Sequence, residues 1–366
     1  MFFNNGKGEN GMKNLDDLIK DGFFVSEVDS GRENIADYSL LGALKAYFST
    51  AEDLDWYLSR KDNNTLKDKE AKELLAGAYA RDACNAITQF QHFFELFLKD
   101  ILLEYNQLLV YDASQKPELL VKLIDNDTIL DSELEKLHFI ECSDAIERIK
   151  TLQKIKKLDP EYQFINKYFD LFEKLNRLRN RIAHRGAFII NPAALDEIFG
   201  RHVIPFVNEL VGIGGYMHIK TWTFNLKNQN LNPFDTIVKE YNNSQVDENK
   251  IHLFKLIGAA SYKNIINYEL DDVLGVYKEI RDKAEEYAMT IAERQMIDPV
   301  DCPVCGCKSF VRETDCYVEE DVYGNETIIE PYVYKINCEQ CGFHIENWLL
   351  NKLKGFRIPM PDYSQL

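Results

Sequence analysis

No stretch of this 366-residue chain approaches the roughly 20 consecutive apolar residues that a helix needs to cross a bilayer. The opening segment, Met1 to Lys20, is polar and rich in Gly and Asn, without the apolar core of a secretion signal. Positive charge is also short: 43 Lys and Arg stand against 60 Asp and Glu, a formal net charge of −17. That balance excludes a non-specific nucleic-acid coat, because phosphate binding normally shows as an excess of Lys and Arg. Internal repeats and long low-complexity tracts are absent. One glycine-rich run, Val211-Gly212-Ile213-Gly214-Gly215-Tyr216, has neither the lysine nor the spacing of a phosphate loop. It reads as a connector, with Tyr216, Trp222 and Phe224 available to a short hairpin. These absences, with cysteines spaced for metal, predict a cytoplasmic chain with no membrane association.

What the chain does contain is apolar and aromatic. A hydrophobic fraction of 45%, with 22 Phe and 19 Tyr, is the composition of well-packed globular structure. The length suffices for two or three domains. The periodicity predicts a mainly α protein: a helical bundle with a helical extension and a small C-terminal β module. Residues 1–69 read as a loosely organised leader with short helices at 15–20 and 36–48. The strongest helical period covers 70–105, where Leu75, Tyr79, Ala83, Ala86, Phe90, Phe93, Phe97 and Ile101 form a stripe widened by Phe94, Leu98 and Leu102. So broad a stripe implies several helical neighbours. On that helix Glu95 and Lys99 form a favourable i, i+4 pair, expected on its surface. Further helices are expected at 116–124, 131–140, 143–156, 160–184 and 192–211, the last kinked or divided by Pro205. The bundle is assigned to 70–212 and a helical connector region to 213–300, with helices at 233–241, 250–268 and 271–296.

The C-terminal segment, 301–366, carries the most specific pattern. Cys302-Pro303-Val304-Cys305-Gly306 and Cys338-Glu339-Gln340-Cys341-Gly342 are two cysteine pairs, each on a tight turn closed by glycine. Two such turns supply four sulfurs to a tetrahedral zinc ion. The 32 residues between the pairs exceed the usual gap, but they hold two strand-like runs, 309–320 and 326–337, joined through Tyr323-Gly324-Asn325 as a hairpin needs. The segment looks like a zinc ribbon, with a C-terminal helix after it. Cys302, Cys305, Cys338 and Cys341 are the expected ligands, and Cys307, Cys316 and His344 are spare candidates. A site closed by four thiolates leaves no position for substrate, so the zinc is read as structural. Residues 302–344 carry three basic and eight acidic side chains, which favours a protein partner or a stabilising cap over a nucleic-acid grip.

A second pattern bears on chemistry. Leu171, Leu175, Leu178 and Ile182 keep the rhythm of a core-facing helix, and Arg177, Asn180 and His184 fall roughly opposite. Gly186 suits the left-handed position that closes helices, which puts His184 in the last turn, where the dipole favours an imidazolium. Residues 145–185 hold eleven Lys or Arg against five Asp or Glu, a basic segment in an acidic chain. Arg179 sits five residues before His184, about 140° away on an ideal helix. Bringing the two together takes a long reach, a distortion, or a second subunit. A solvated helix face with one surface histidine is the alternative.

The string Arg179-Asn180-x-x-x-His184 resembles the Arg-x4-6-His signature of HEPN domains (higher eukaryotes and prokaryotes nucleotide-binding), including the polar residue after the arginine. The resemblance covers about residues 70–212 and is specific only over the short motif. It implies a dimeric helical bundle and a metal-independent endoribonuclease, of a kind found in toxin and phage-defence systems. On that resemblance RNA is the substrate and a homodimer the assembly. The RNA 2′-hydroxyl attacks the adjacent phosphate, His184 moves a proton, Arg179 stabilises the developing charge, and Asn180 orients phosphate or histidine. Arg177, Arg181 and Arg185 are then expected to contact the RNA backbone. The rival expectation is a non-catalytic helical scaffold that binds RNA, a nucleotide or a partner protein.

Overall fold

The computed structural model describes residues 35–63, 65–112, 116–125, 133, 137–186, 188–213, 231–263, 276–320, 326–353 and 361; the side chains of 62, 185, 276–277, 317–320 and 326–331 lie outside that set. The protein is mainly helical, with a small antiparallel three-stranded sheet near the C-terminus. Among the described residues no helix is long and apolar enough to cross a membrane.

Two long helices form the spine. Helix α1 (Ile35–Asp62) and helix α3 (Ala78–Tyr105), joined through α2 (Asp68–Leu75), lie side by side. They run antiparallel: Ser39 Oγ meets His92 Nδ1 at 2.8 Å, while Gly42, further along α1, faces Gln89, earlier in α3. The helix expected over 36–48 therefore continues to Asp62, and it belongs to the core: Leu40, Ala43, Leu44, Tyr47, Phe48 and Ala51 are buried. The helix expected over 70–105 is broken before Ala78, because Gly77 leaves helical geometry (φ −87°, ψ −128°).

The stripe on α3 receives its neighbours as its width demanded. After α4 (Pro117–Asp125) and α5 (Cys142–Lys154), a 3₁₀ segment (Pro160–Tyr168) leads into α6 (Phe169–Arg185), which packs across α3. Phe94 stacks on Phe172 of α6 with centroids 4.7 Å apart. In place of the helix expected at 131–140, His138–Phe139 (β2) pair antiparallel with Tyr111–Asp112 (β1); most of 126–136 lies outside the described residues.

Pro205 divides its helix through a wider turn. Helix α7 (Pro192–Ile198) passes into a π-turn (Phe199–Val203) and then α8 (Ile204–Leu210). A proline has no N–H to give the preceding turn and its ring crowds that turn's carbonyl, and a π-bulge relieves both. The shift delivers Phe206 into the centre of the core, within 6.2 Å of the rings of Phe90, Phe93, Phe97, Phe164, Tyr168 and Phe172. Each such ring contributes about 1.5–3 kcal/mol when fully buried.

Helix α9 (Pro233–Asn242) precedes α10 (Glu248–Lys263), which is buried continuously from Ile251 to Ser261. It packs against α1, and Gly258 lets it approach: a Cβ there would lie 2.3 Å from Phe48 Cδ1. Helix α11 (Val276–Gln295) leads to strands β3 (Phe310–Glu320), β4 (Glu326–Cys338) and β5 (His344–Glu346), ordered β3-β4-β5, followed by α12 (Asn347–Leu350). The strands expected at 309–320 and 326–337 pair antiparallel and β5 adds a third, while the expected connection Tyr323-Gly324-Asn325 lies outside the described residues. One apolar core joins the helices to the sheet, through Phe343, Ile345, Leu349, Leu350 and Leu353. The runs at 15–20 and 216–224 lie outside the described residues.

Candidate functional site

The four cysteines of the C-terminal module converge. Cys302 and Cys305 stand on one turn, Cys338 and Cys341 on another, and the turns are near copies. Gly306 N donates to Cys302 O at 2.8 Å, and Gly342 N to Cys338 O at 2.9 Å. Both glycines have φ of 70°, a left-handed value that favours glycine. Cys302 N donates to Cys307 O and Cys338 N to Phe343 O, each at 2.8 Å. The turns face one another, with Cys302 Sγ 3.7 Å from Cys341 Sγ and Cys305 Sγ 3.6 Å from Cys338 Sγ.

Those spacings can be tested against chemistry. A disulfide requires about 2.05 Å, and all four thiols are free. Tetrahedral sulfurs about 2.3 Å from a central ion stand about 3.8 Å apart. All four sulfurs lie within 4.8 Å of one another and are buried, so the set fits a metal ion. Burial pushes the Cys302 thiol well up, and hydrogen bonding with Cys302 pushes Cys341 well up. Thiol donors from Cys302, Cys305 and Cys341 instead favour the Cys338 thiolate. The spare candidates stand apart. Cys307 approaches Glu285 Oε1 at 3.5 Å, Cys316 has its backbone N–H on Asp315 Oδ1, and His344 turns toward the helices.

On α6 the motif residues divide between two surroundings. Gly186 closes the helix with φ 57°, so His184 stands in the last turn, exposed, with no hydrogen bond or ion pair among the described residues. Arg179 is half-buried. Its Nη1 donates to Asn180 Oδ1 at 3.0 Å, while its Nε is buried without a hydrogen-bond partner. The arginine charge acts on Cys142 of α5, whose thiol is pushed up to about 12 by burial and then by Glu95 of α3, with Arg179 opposing. Arg179 thus lies toward α3 and α5, beside a buried network: Gln91 Nε2 donates to Glu95 Oε2 at 2.8 Å and reaches Asn176 Oδ1 at 3.5 Å, and Lys99 bonds Glu95 at 2.7 Å. The Glu95–Lys99 pair expected on the surface is mostly buried, on the side of α3 that faces β2 and α5: Lys99 Nζ lies 5.7 Å over the Phe139 ring, and Glu95 acts on Cys142. Arg177 is exposed with Nε 3.4 Å from Glu173 O, Arg181 stacks 3.8 Å over the Phe188 ring, and the Arg185 side chain lies outside the described residues. Within one chain, no hydrogen bond joins Arg179 to His184 among the described residues.

A third cluster had no local sequence signal. The Asp55 carboxylate of α1 meets His252 Nε2 of α10 at 2.8 Å through Oδ1, and His344 Nε2 of β5 at 3.1 Å through Oδ2. Nearby, Lys255, fully buried, bonds Asp196 of α7 at 2.6 Å and lies 4.7 Å over the Tyr47 ring. His252 and Asp196 line a cavity of about 320 Å³, walled also by Leu54, Tyr57, Arg201 and Tyr241. Only the composite of three distant segments reveals it; His344 was visible beforehand as a spare ligand.

Fold and site define the class: a mainly helical protein with a buried four-cysteine centre that can hold a metal ion. Compared with protein-family models, curated proteins and solved structures, the chain matches none of them.

Proposed function

We propose that this protein is an endoribonuclease of HEPN type that acts as a homodimer, with zinc as a structural ion in a C-terminal ribbon. The observation that carries the reading is the end of α6: an exposed His184 in the last turn, a paired Arg179–Asn180 one turn earlier, and a helix closed by Gly186. An imidazole free to face substrate can act as general acid or base near neutrality. A guanidinium, planar and permanently charged, is suited to a phosphate oxygen. The reading requires a two-fold axis that brings His184 of one copy to Arg179 of the other. Arg177, Arg181 and Arg185 then contact the RNA backbone. Four thiolates leave zinc no open position, so its role is to hold the module together. The family resemblance implies an antiviral or toxin role.

The test is cleavage of single-stranded RNA by purified protein in buffer without added divalent ions. Wild type, His184→Ala and Arg179→Ala are compared, and the product ends are identified. Products with 2′,3′-cyclic phosphate and 5′-hydroxyl ends, lost in both variants, support the assignment. Equal cleavage by all three proteins removes it.

A second reading is favoured by the position of Arg179, turned toward α3 and α5 and not joined to His184. Under it the chain is a non-catalytic scaffold, and α6 binds RNA or a partner protein. RNA retained by the wild type without any cleavage supports that alternative.

A further inference from the structure

The module and the cavity are physically connected. The turn Cys338–Cys341 fixes the start of β5, since Cys338 N is bonded to Phe343 O and Asn337 is paired with His344. His344 Nδ1 lies 3.1 Å from Gly342 O, an acceptor, and its Nε2 lies 3.1 Å from Asp55 Oδ2, another acceptor. A ring facing acceptors through both nitrogens is held as an imidazolium. Asp55 spends its other oxygen on His252 of α10, whose ring lines the cavity together with Leu54 and Tyr57 on either side of Asp55. Trp348 of α12 covers the junction, with its ring 5.4 Å from that of His252. A line of contacts thus runs from the cysteine turn through β5 and α1 to the cavity wall.

We propose that the cysteine module is a metal-dependent latch on this cavity: with the four sulfurs bridged by a metal ion, His344 holds Asp55 and, through it, His252, and loss of the ion releases that wall. The inference rests on the four cysteines being a metal centre. Structural metal sites supply the free energy that keeps such turns folded. Without the ion, buried thiols lose their common partner and the 338–346 segment is free to move. Asp55 then keeps one histidine of its two. A buried carboxylate stripped of a charged partner is costly, so α1 and α10 shift to let solvent reach it. The rings around Phe206 supply no residue to this line of contacts, and that part of the core stays closed.

Hydrogen–deuterium exchange on the full chain tests the latch, comparing protein as purified with protein treated with a chelator. Metal content is measured in parallel. Exchange is expected to rise about tenfold or more in peptides covering 51–58 and 250–256, as well as in 302–346, with 90–98 and 171–178 unchanged. Asp55→Asn, with its metal retained, should show the same rise at 250–256 and little further change there on chelation. A rise confined to 302–346 overturns the latch while leaving the metal centre intact. A rise throughout the chain overturns it too, because the ion then supports the whole fold. Absence of metal from the purified protein removes the metal centre itself and the latch with it.

Discussion

Asp55 and His344 stand 289 positions apart in the chain and 3.1 Å apart in the fold, and their contact fastens the cysteine module to the longest helical pair. Burial alone would raise the Asp55 carboxyl, but hydrogen bonds from His252 and His344 outweigh it and hold the group below its usual range. Burial likewise would lower His344, yet the Asp55 hydrogen bond and charge outweigh it and raise the imidazole. For Asp55, the contribution is present above the unfolded carboxyl pKa of about 3.9 and is lost as pH falls through the lower folded value. For His344, it is present below the unfolded pKa of about 6.5 and is lost as pH rises through the higher folded value. The contact is therefore strongest between about pH 4 and 6.5. Urea denaturation across pH 4 to 9 should show Asp55→Asn losing about 1–3 kcal/mol in that window, with the gap to wild type narrowing above it. A constant gap would refute the ionic character of the contact.

Purified protein is expected to contain about one metal ion per chain, bound by four thiolates. Cys302→Ser and Cys341→Ser should each lose the ion and lower the melting temperature, whereas Cys84→Ser should do neither. Full metal content in both site variants, read by plasma mass spectrometry, would contradict the ligand set.

The Lys255–Asp196 pair makes a prediction about cost. Lys255→Ala leaves a carboxylate without its cation and should destabilise by about 3–5 kcal/mol. Lys255→Met combined with Asp196→Leu removes both charges and should recover most of the loss, in chemical denaturation at neutral pH.

Two close approaches by glycine are also measurable. A Cβ at Gly258 would sit 2.3 Å from the Phe48 ring, and one at Gly200 would sit 2.1 Å from Tyr241. Gly258→Ala and Gly200→Ala should each cost about 1–3 kcal/mol through overpacking, despite the higher helix propensity of alanine.

His184 separates activity from stability. As an exposed side chain in the last turn of α6, its replacement by alanine should change stability by no more than about 0.5 kcal/mol. If it is the general acid or base, RNA cleavage should fall by about 10²–10⁴-fold in the same variant. A large change in melting temperature with unchanged cleavage would reverse that assignment.

Periodicity made the helices and hairpin legible because it is a local property. The α3 stripe, the α6 face and the strands at 309–337 are each stated by their own residues. The cysteine turns were equally plain, since spacing and glycine together prescribe the geometry. Where local signals were weak, placement depended on neighbours. The weak amphipathicity around Tyr47 and Phe48 gave no hint that α1 runs on to Asp62, because both sides of that helix are covered. Glu95 and Lys99 read as a surface pair because sequence does not show which side of α3 meets β2 and α5.

The sequence by itself determined the mainly helical class, the closing of α6 at Gly186, and the four-cysteine set, all of which depend on bonds and periods within a few residues. The tertiary structure decided what those pieces face. It turned Arg179 toward α3 while leaving His184 in solvent. It also joined Asp55, His252 and His344 from three distant segments, because a buried carboxylate must find its partners wherever the packed core brings donors near.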